Sequence, residues 1–294
     1  MKFFIILVLF LSSSYNTILG QVTISGNEKI KLKPAKMLGI DTAEYKFTYD
    51  VQFVKDTLNR DILVSGRTLL LVGKHSSVYV DYYAALSDSI YAESVRDGMS
   101  IMDAMNKSSN VKGKKFRETV VMNYPNQGEA LVQDYFGGAF RRYIDKTCGQ
   151  TWSLTDETME ILGYECRKAK CDFRGRSYVA WYTDEIPVHY GPFLFGGLPG
   201  LIVRLESDDK EYRFNLIGID KVRTPFLVEI YDGRGVEVLS RDDFRYLKQY
   251  YNENAAAGVL NNASGVKLEL TSEQEKELEK RLNRPRPYNP IEKE

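Results

Sequence analysis

Residues 45–53 alternate without a break: Tyr45, Phe47, Tyr49, Val51 and Phe53 are apolar or aromatic, and Lys46, Thr48, Asp50 and Gln52 lie between them. A two-residue repeat turns successive side chains to opposite faces of an extended chain, so the stretch predicts a β-strand with one wet face and one buried face. Further stretches rich in strand-forming residues read as strands at 69–72, 77–82, 116–122, 129–135, 140–144, 159–173, 177–183, 201–205, 212–219 and 226–231. Gly73-Lys74-His75, Tyr124-Pro125-Asn126-Gln127-Gly128 and Arg174-Gly175-Arg176 supply turns between them. Short turns imply antiparallel neighbours, because parallel strands need long crossovers. The expected fold is therefore mainly β: an antiparallel, curved or partly open sheet with a few helices.

Helical spacing appears in three places. Tyr91, Val95, Met99 and Met102 can share a face of a helix over 88–105, although Gly98 costs that helix about 1 kcal/mol against alanine. Over 240–252, Ser240 and Asp243 have capping-box spacing, and Phe244, Leu247 and Tyr251 share a face. Ser272 and Glu275 repeat the signature and begin a charged helix to about residue 282. Pro285 and Pro287 cannot continue it, so 285–294 reads as a loose tail. Residues 254–264 are small and polar and read as a linker or loop. The layout is a leader at 1–20, one β-rich domain at 21–270, and a C-terminal helix and tail at 271–294.

The first twenty residues have the form of a secretory signal. Lys2 precedes an apolar run at 3–11, and the more polar 12–20 ends on Gly20, giving a mature chain from Gln21. An apolar run of about nine residues is too short for a membrane anchor, which needs roughly 20. Position 21 is not cysteine, which argues against a lipid-anchored form. No later segment is long and apolar enough to span a bilayer. The expected location is the periplasm or the medium. Forty basic and forty acidic residues leave no net charge, hence no electrostatic footprint for nucleic acid. At 43% hydrophobic residues the chain has the material for a core.

Cys148, Cys166 and Cys171 are an odd set for an exported protein, suggesting one disulfide and one thiol. Cys166 and Cys171 lie five apart and face opposite sides of one strand, so Cys148 with either is the preferred pair, and three free thiols the alternative. With no C-x-x-C spacing and only His75 and His189, the sequence offers no zinc site and implies no cofactor.

Residues 152–202 carry a resemblance. Trp152, then Ile161-Leu162-Gly163-Tyr164-Glu165-Cys166, Lys168-Ala169, Phe173-Arg174-Gly175-Arg176, Ala180-Trp181-Tyr182-Thr183, Glu185-Ile186-Pro187 and Gly191-Pro192 lead into Gly197-Leu198-Pro199-Gly200-Leu201-Ile202. In this order the pieces resemble the GLPGLI family of exported bacterial proteins. The resemblance implies ancestry and fold and assigns no activity. Physically, Leu198-Pro199-Gly200-Leu201 suits a type II turn, with glycine at the third position taking positive φ, before a strand begins at Leu201. No side chain of the motif can move a proton or attack a carbonyl.

The chain has no G-x-S-x-G, H-E-x-x-H or phosphate-loop motif. His75 falls in a turn. His189 lies in a loop near Asp184 and Glu185, whose adjacent side chains point apart in an extended segment and do not form a catalytic pair. Arg174 and Arg176 flank a turn glycine and can hold a carboxylate or phosphate. The candidate binding residues are Arg174, Arg176, Trp181, His189, Gly197, Leu198, Pro199 and Gly200, with no assigned catalytic residue. The function these support is a non-enzymatic envelope protein that binds an apolar or peptide ligand, or a partner, in a groove of the curved sheet. The alternatives are an envelope hydrolase using His189 with nearby acids, and a structural or assembly protein.

Overall fold

The computed structural model describes residues 36–146, 149–233, 235–254, 271–282 and 288–293. The expected leader, Cys148 and most of the expected linker lie outside the described residues. The described chain is mainly β, as its alternation predicts. Twelve strands form one sheet in the order β12-β6-β5-β4-β3-β2-β1-β11-β10-β9-β8-β7. In chain order they are β1 (Met37–Val54), β2 (Leu63–Val72), β3 (Ser77–Asp81), β4 (Thr119–Met122), β5 (Ala130–Phe136), β6 (Ala139–Asp145), β7 (Ser153–Ile161), β8 (Tyr164–Phe173), β9 (Arg176–Thr183), β10 (Leu201–Ser207), β11 (Tyr212–Tyr231) and β12 (Glu237–Val238). All pairs are antiparallel except the two-residue β12, which runs parallel to β6.

Both faces of the central strands are buried. Leu70, Tyr79, Val120 and Val132 join Phe47, Tyr49 and Val51 in the larger core, on one face. Their neighbours Leu71, Val78, Val121 and Leu131 join a smaller core on the other face, with Ala43, Val228 and Ile230. Burial on both faces explains why 69–72 reads as an unbroken apolar run. The first part of β1 and the last part of β11 cover that second face. Register shifts at Gly39/Asp41 and Ala43/Tyr45 interrupt the ladder on the way, as bulges that bend a strand do. Tyr231 at the end of β11 stacks on Phe140 of β6, with ring centroids 4.3 Å apart.

Several boundaries differ from the sequence expectation. The stretch 159–173 is not one strand but part of a hairpin, because Leu162 (φ 56°) and Gly163 (φ 83°) make a turn with two positive φ values, the geometry that suits a hairpin's twist. Strands expected at 212–219 and 226–231 are one continuous β11. The expected helix over 88–105 is two helices, α1 (Tyr82–Arg96) and α2 (Ile101–Ser109), broken at Gly98 (φ 85°). Asp81 caps α1, accepting from Tyr83 and Ala84 N–H through one carboxylate oxygen and from Lys115 and Phe116 N–H through the other. Helix α3 (Arg241–Glu253) begins on the Ser240–Asp243 box and packs Phe244 against Phe136 and Tyr143. Helix α4 (Ser272–Leu282) is capped one residue earlier than expected, by Thr271 and Gln274 reciprocally.

Cys166 and Cys171 are free thiols, and both are buried. The strict alternation that would separate them slips within β8, where Cys166, Ala169, Cys171 and Phe173 are the buried positions. Burial raises both thiol pKa values, Cys171 to about 12, so neither is poised as a thiolate.

Candidate functional site

Two irregular segments thread into the larger core. The first joins β9 to β10. Phe193, Leu194, Phe195 and Leu198 on this loop are at most 2% exposed. Phe195 packs against Trp152, Phe173 and Tyr178, and Phe193 against Phe116. A buried loop must still satisfy its backbone. Gln150 does so twice, donating to the Leu194 carbonyl (3.0 Å) and accepting from Gly196 N–H (3.1 Å), and the Trp152 indole donates to the Gly196 carbonyl (2.8 Å). Tyr49 donates to the Ile202 carbonyl (2.7 Å).

The glycines of this loop act differently from the expected type II turn. Positive φ falls at Gly197 (81°), not at Gly200. Gly200 is needed for space: a Cβ there would lie 1.9 Å from the Thr183 carbonyl oxygen. The apolar groove expected inside the curved sheet is correspondingly filled by the chain's own side chains.

The second segment is residues 288–293. In this described part the tail expected over 285–294 is not loose, because other parts of the chain seat its backbone and side chains. Tyr212 Oη donates to the Asn289 carbonyl, Arg176 Nη2 to the Pro290 carbonyl (2.9 Å), and Tyr178 Oη to the Ile291 carbonyl (2.8 Å). Lys293 N–H donates to the Arg174 carbonyl (2.9 Å). The Asn289 amide nitrogen donates to the Val54 carbonyl (2.8 Å) and Glu211 Oε2 (3.1 Å), while its oxygen accepts from Arg176 (2.6 Å). Glu292 pairs with Arg174, and Arg241 lies 3.5 Å from its other oxygen.

The seat is also braced from within the domain. Arg176, with a fully buried side chain, pairs with Asp209 and with Glu211 (2.6 Å), and Arg60 pairs with Glu211. Ser207 and the Glu211 N–H donate to Asp209. Burial works to raise the Asp209 pKa, but these donors, Lys293 and Arg176 hold it at about 2. The Glu211 carboxyl is held below its ordinary value against the same burial effect, by Arg176, Arg60 and Asn289. Arg174 also pairs with Asp145.

Beside the seat, Lys248 of α3 pairs with Glu118 and lies 2.9 Å from Asp134. Burial would lower the lysine's pKa, but the two carboxylates raise it. Burial raises Asp134 more than Lys248 lowers it, whereas at Glu118 the ammonium outweighs burial and lowers the pKa. A cavity of about 30 Å³ is lined by Glu118, Lys248, Tyr143, Phe193, Phe244 and Tyr288, among others. That is room for about one water.

The sequence candidates are therefore separated by role. Arg174 and Arg176 do hold carboxylates, but those of their own chain. Trp181 is half-buried, with the Lys168 ammonium 5.8 Å from its ring centroid. His189 is exposed, and its Nδ1 lies 2.9 Å from the Leu198 carbonyl. Asp184 pairs with Arg167 (3.5 Å), and Glu185 accepts from Glu165 N–H. Leu198 and Gly200 are buried, Gly197 and Pro199 exposed. Sequence reasoning missed Tyr178, Tyr212, Glu211, Asn289, Glu118, Asp134 and Lys248. The one available signal was acids inside apolar strands, as at Asp134 in β5. No helix among the described residues is long and apolar enough to cross a membrane. No group of three or more His, Cys, Asp or Glu among them is placed to hold a metal ion.

The family model described as "N-glycanase peptide, N-terminal domain" matches residues 143–226. Two crystal structures of PNGF-II, in space groups P21 and C2, are similar at 16% identity with TM-scores of 0.47 and 0.46. They cover 72% and 71% of this chain, and the chain spans about a third of their length, 34% and 33%. No curated protein matches the sequence.

Proposed function

We propose that this chain is a non-enzymatic binding protein of the cell envelope, exported by the leader at 1–20 and related to the GLPGLI family, that takes an extended peptide or a segment of a partner protein. One observation carries the reading: side chains donate to three consecutive backbone carbonyls of one irregular segment, those of Asn289, Pro290 and Ile291. Recognition of main-chain groups with side-chain pockets between them is how proteins hold extended peptides. The filled interior favours such a ligand over an apolar small molecule. The family match at 143–226 spans Arg174, Arg176, Tyr178, Glu211 and Tyr212 of this seat.

The test is capture from an envelope fraction on the immobilised full chain carrying Asn289→Asp, which weakens the resident tail's hold on Glu211 and Val54, with a wild-type peptide of residues 288–294 as competitor. Partners that the peptide displaces are expected. Capture that the peptide leaves unchanged, or lipid that co-purifies in stoichiometric amount, would sink the reading.

A second reading, an envelope hydrolase, draws on the N-glycanase description and on Glu118 and Asp134, whose pKa values move in opposite directions around Lys248. The adjoining cavity is too small for a sugar. Release of glycan from a glycopeptide by the full chain, lost in Glu118→Gln, would establish it and displace the first reading.

A further inference from the structure

We infer that the seat selects peptides of the class Asn-Pro-aliphatic-Glu, and that residues 288–293 are a resident, exchangeable occupant that competes with ligands in trans. This rests on the peptide-binding reading and names its ligand and its regulation.

Selection follows from the groups around each side chain. Asn289 faces two acceptors, the Val54 carbonyl and Glu211, through its nitrogen, and one donor, Arg176, through its oxygen. The site asks for two donated bonds and one accepted bond, and only a carboxamide supplies two N–H donors together with an acceptor oxygen. Aspartate would set a carboxylate against Glu211 and leave the Val54 carbonyl unpaired. Proline at 290 brings no N–H to be satisfied, and its carbonyl is taken by Arg176. Ile291 is buried and belongs to the larger core. Glu292 meets Arg174 and Arg241.

Exchangeability follows from how the seat is held. Arg176 is fixed by Asp209 and Glu211, Glu211 by Arg60, and Arg174 by Asp145. None of these partners belongs to the tail, so Arg174 and Arg176 remain aimed when the tail leaves. The tail is joined to no strand ladder. Helix α4, which precedes it, is exposed at its described side chains except Leu282. A tethered occupant acts at a millimolar effective concentration, so the intact chain resists ligands in trans.

The experiment replaces residues 283–287 with a protease site in the full chain, cuts after folding, and adds a fluorescent peptide of residues 288–294. The cut protein should keep its far-UV circular dichroism, release its own tail and take up the labelled peptide. Peptide carrying Asn289→Asp should bind about ten-fold more weakly or worse. The uncut chain should bind the wild-type peptide at least about ten-fold more weakly than the cut chain. A cut, folded protein that takes up no peptide, or takes both peptides equally, overturns the inference.

Should cutting unfold the protein, the uncut Asn289→Asp chain provides the second measurement. It should now bind the wild-type peptide while retaining its circular dichroism, and failure to bind overturns the inference. Exchange that succeeds while envelope capture fails would refute the proposed function and leave the seat's selectivity standing.

Discussion

The β9–β10 loop and the C-terminal segment both run without regular structure into the same core, and they are held by opposite means. The loop is held by bulk: Phe193, Leu194, Phe195 and Leu198 fill space, and Gly200 lets its backbone lie against Thr183. The tail is held by polar groups: Tyr212, Arg176 and Tyr178 donate to its carbonyls, and Arg174 pairs with Glu292. A loop inserted by packing cannot leave without opening a large void. The tail's hydrogen bonds can be exchanged for water at modest net cost, and Ile291 is its one side chain in the larger core. The difference separates a permanent part of the core from a removable one.

The largest expected effect tests the loop's side. Phe195→Ala should lower stability by about 3–5 kcal/mol, since it empties a site between Trp152, Phe173 and Tyr178, as denaturant melts would read. A loss below about 1 kcal/mol would mean that the loop does not fill the core. Gly200→Ala comes next, at about 3 kcal/mol, because the new methyl meets backbone that must shift. Gly197→Ala would instead show a smaller cost, from the positive φ alone, as no atom lies within 4 Å of its Cβ position.

The tail should be softer. Asn289→Ala leaves the Val54 carbonyl and one Arg176 donor unpaired and should cost about 1–3 kcal/mol. Hydrogen exchange should place that loss in the seat and leave the loop's protection unchanged.

The smallest effect is a pH dependence of the tail. Asp209 and Glu211 have folded pKa values below their ordinary 3.8 and 4.5. Acids with depressed pKa values bind fewer protons folded than unfolded, so they stabilise fully above about pH 4.5 and progressively less as pH falls toward 2. Tail protection should therefore drop across that window while the loop stays protected down to global unfolding. Equal responses would erase the contrast between the two segments.

The unequal legibility of these segments has a physical cause. Gly197 to Ile202 stood out because turns and close approaches demand glycine and proline, which are visible in the chain itself, although the reason for Gly200 was misassigned. Its Thr183 contact crosses between segments. The tail read as loose because Pro285 and Pro287 end a helix, and ending a helix says nothing of where the chain goes next. Arg174 and Arg176 were recognisable as able to hold anions, but Glu292 and Asp145 for the first, and Asp209 and Glu211 for the second, were not recognisable as the anions. The Leu162-Gly163 turn was missed because leucine rarely adopts positive φ and nothing nearby announced it.

Alternation at Tyr45 to Phe53 and the Ser240 cap are local properties, set by steric and hydrogen-bonding preferences of adjacent residues, and the amino-acid order was enough to read a β-rich sheet with few helices. Which buried group faces which was a matter of contact alone. Arg176 meets Asn289 across 113 positions, and Lys248 meets Glu118 across 130. Such pairings depend on curvature accumulated over twelve strands, to which each residue contributes little and which no neighbouring residue encodes.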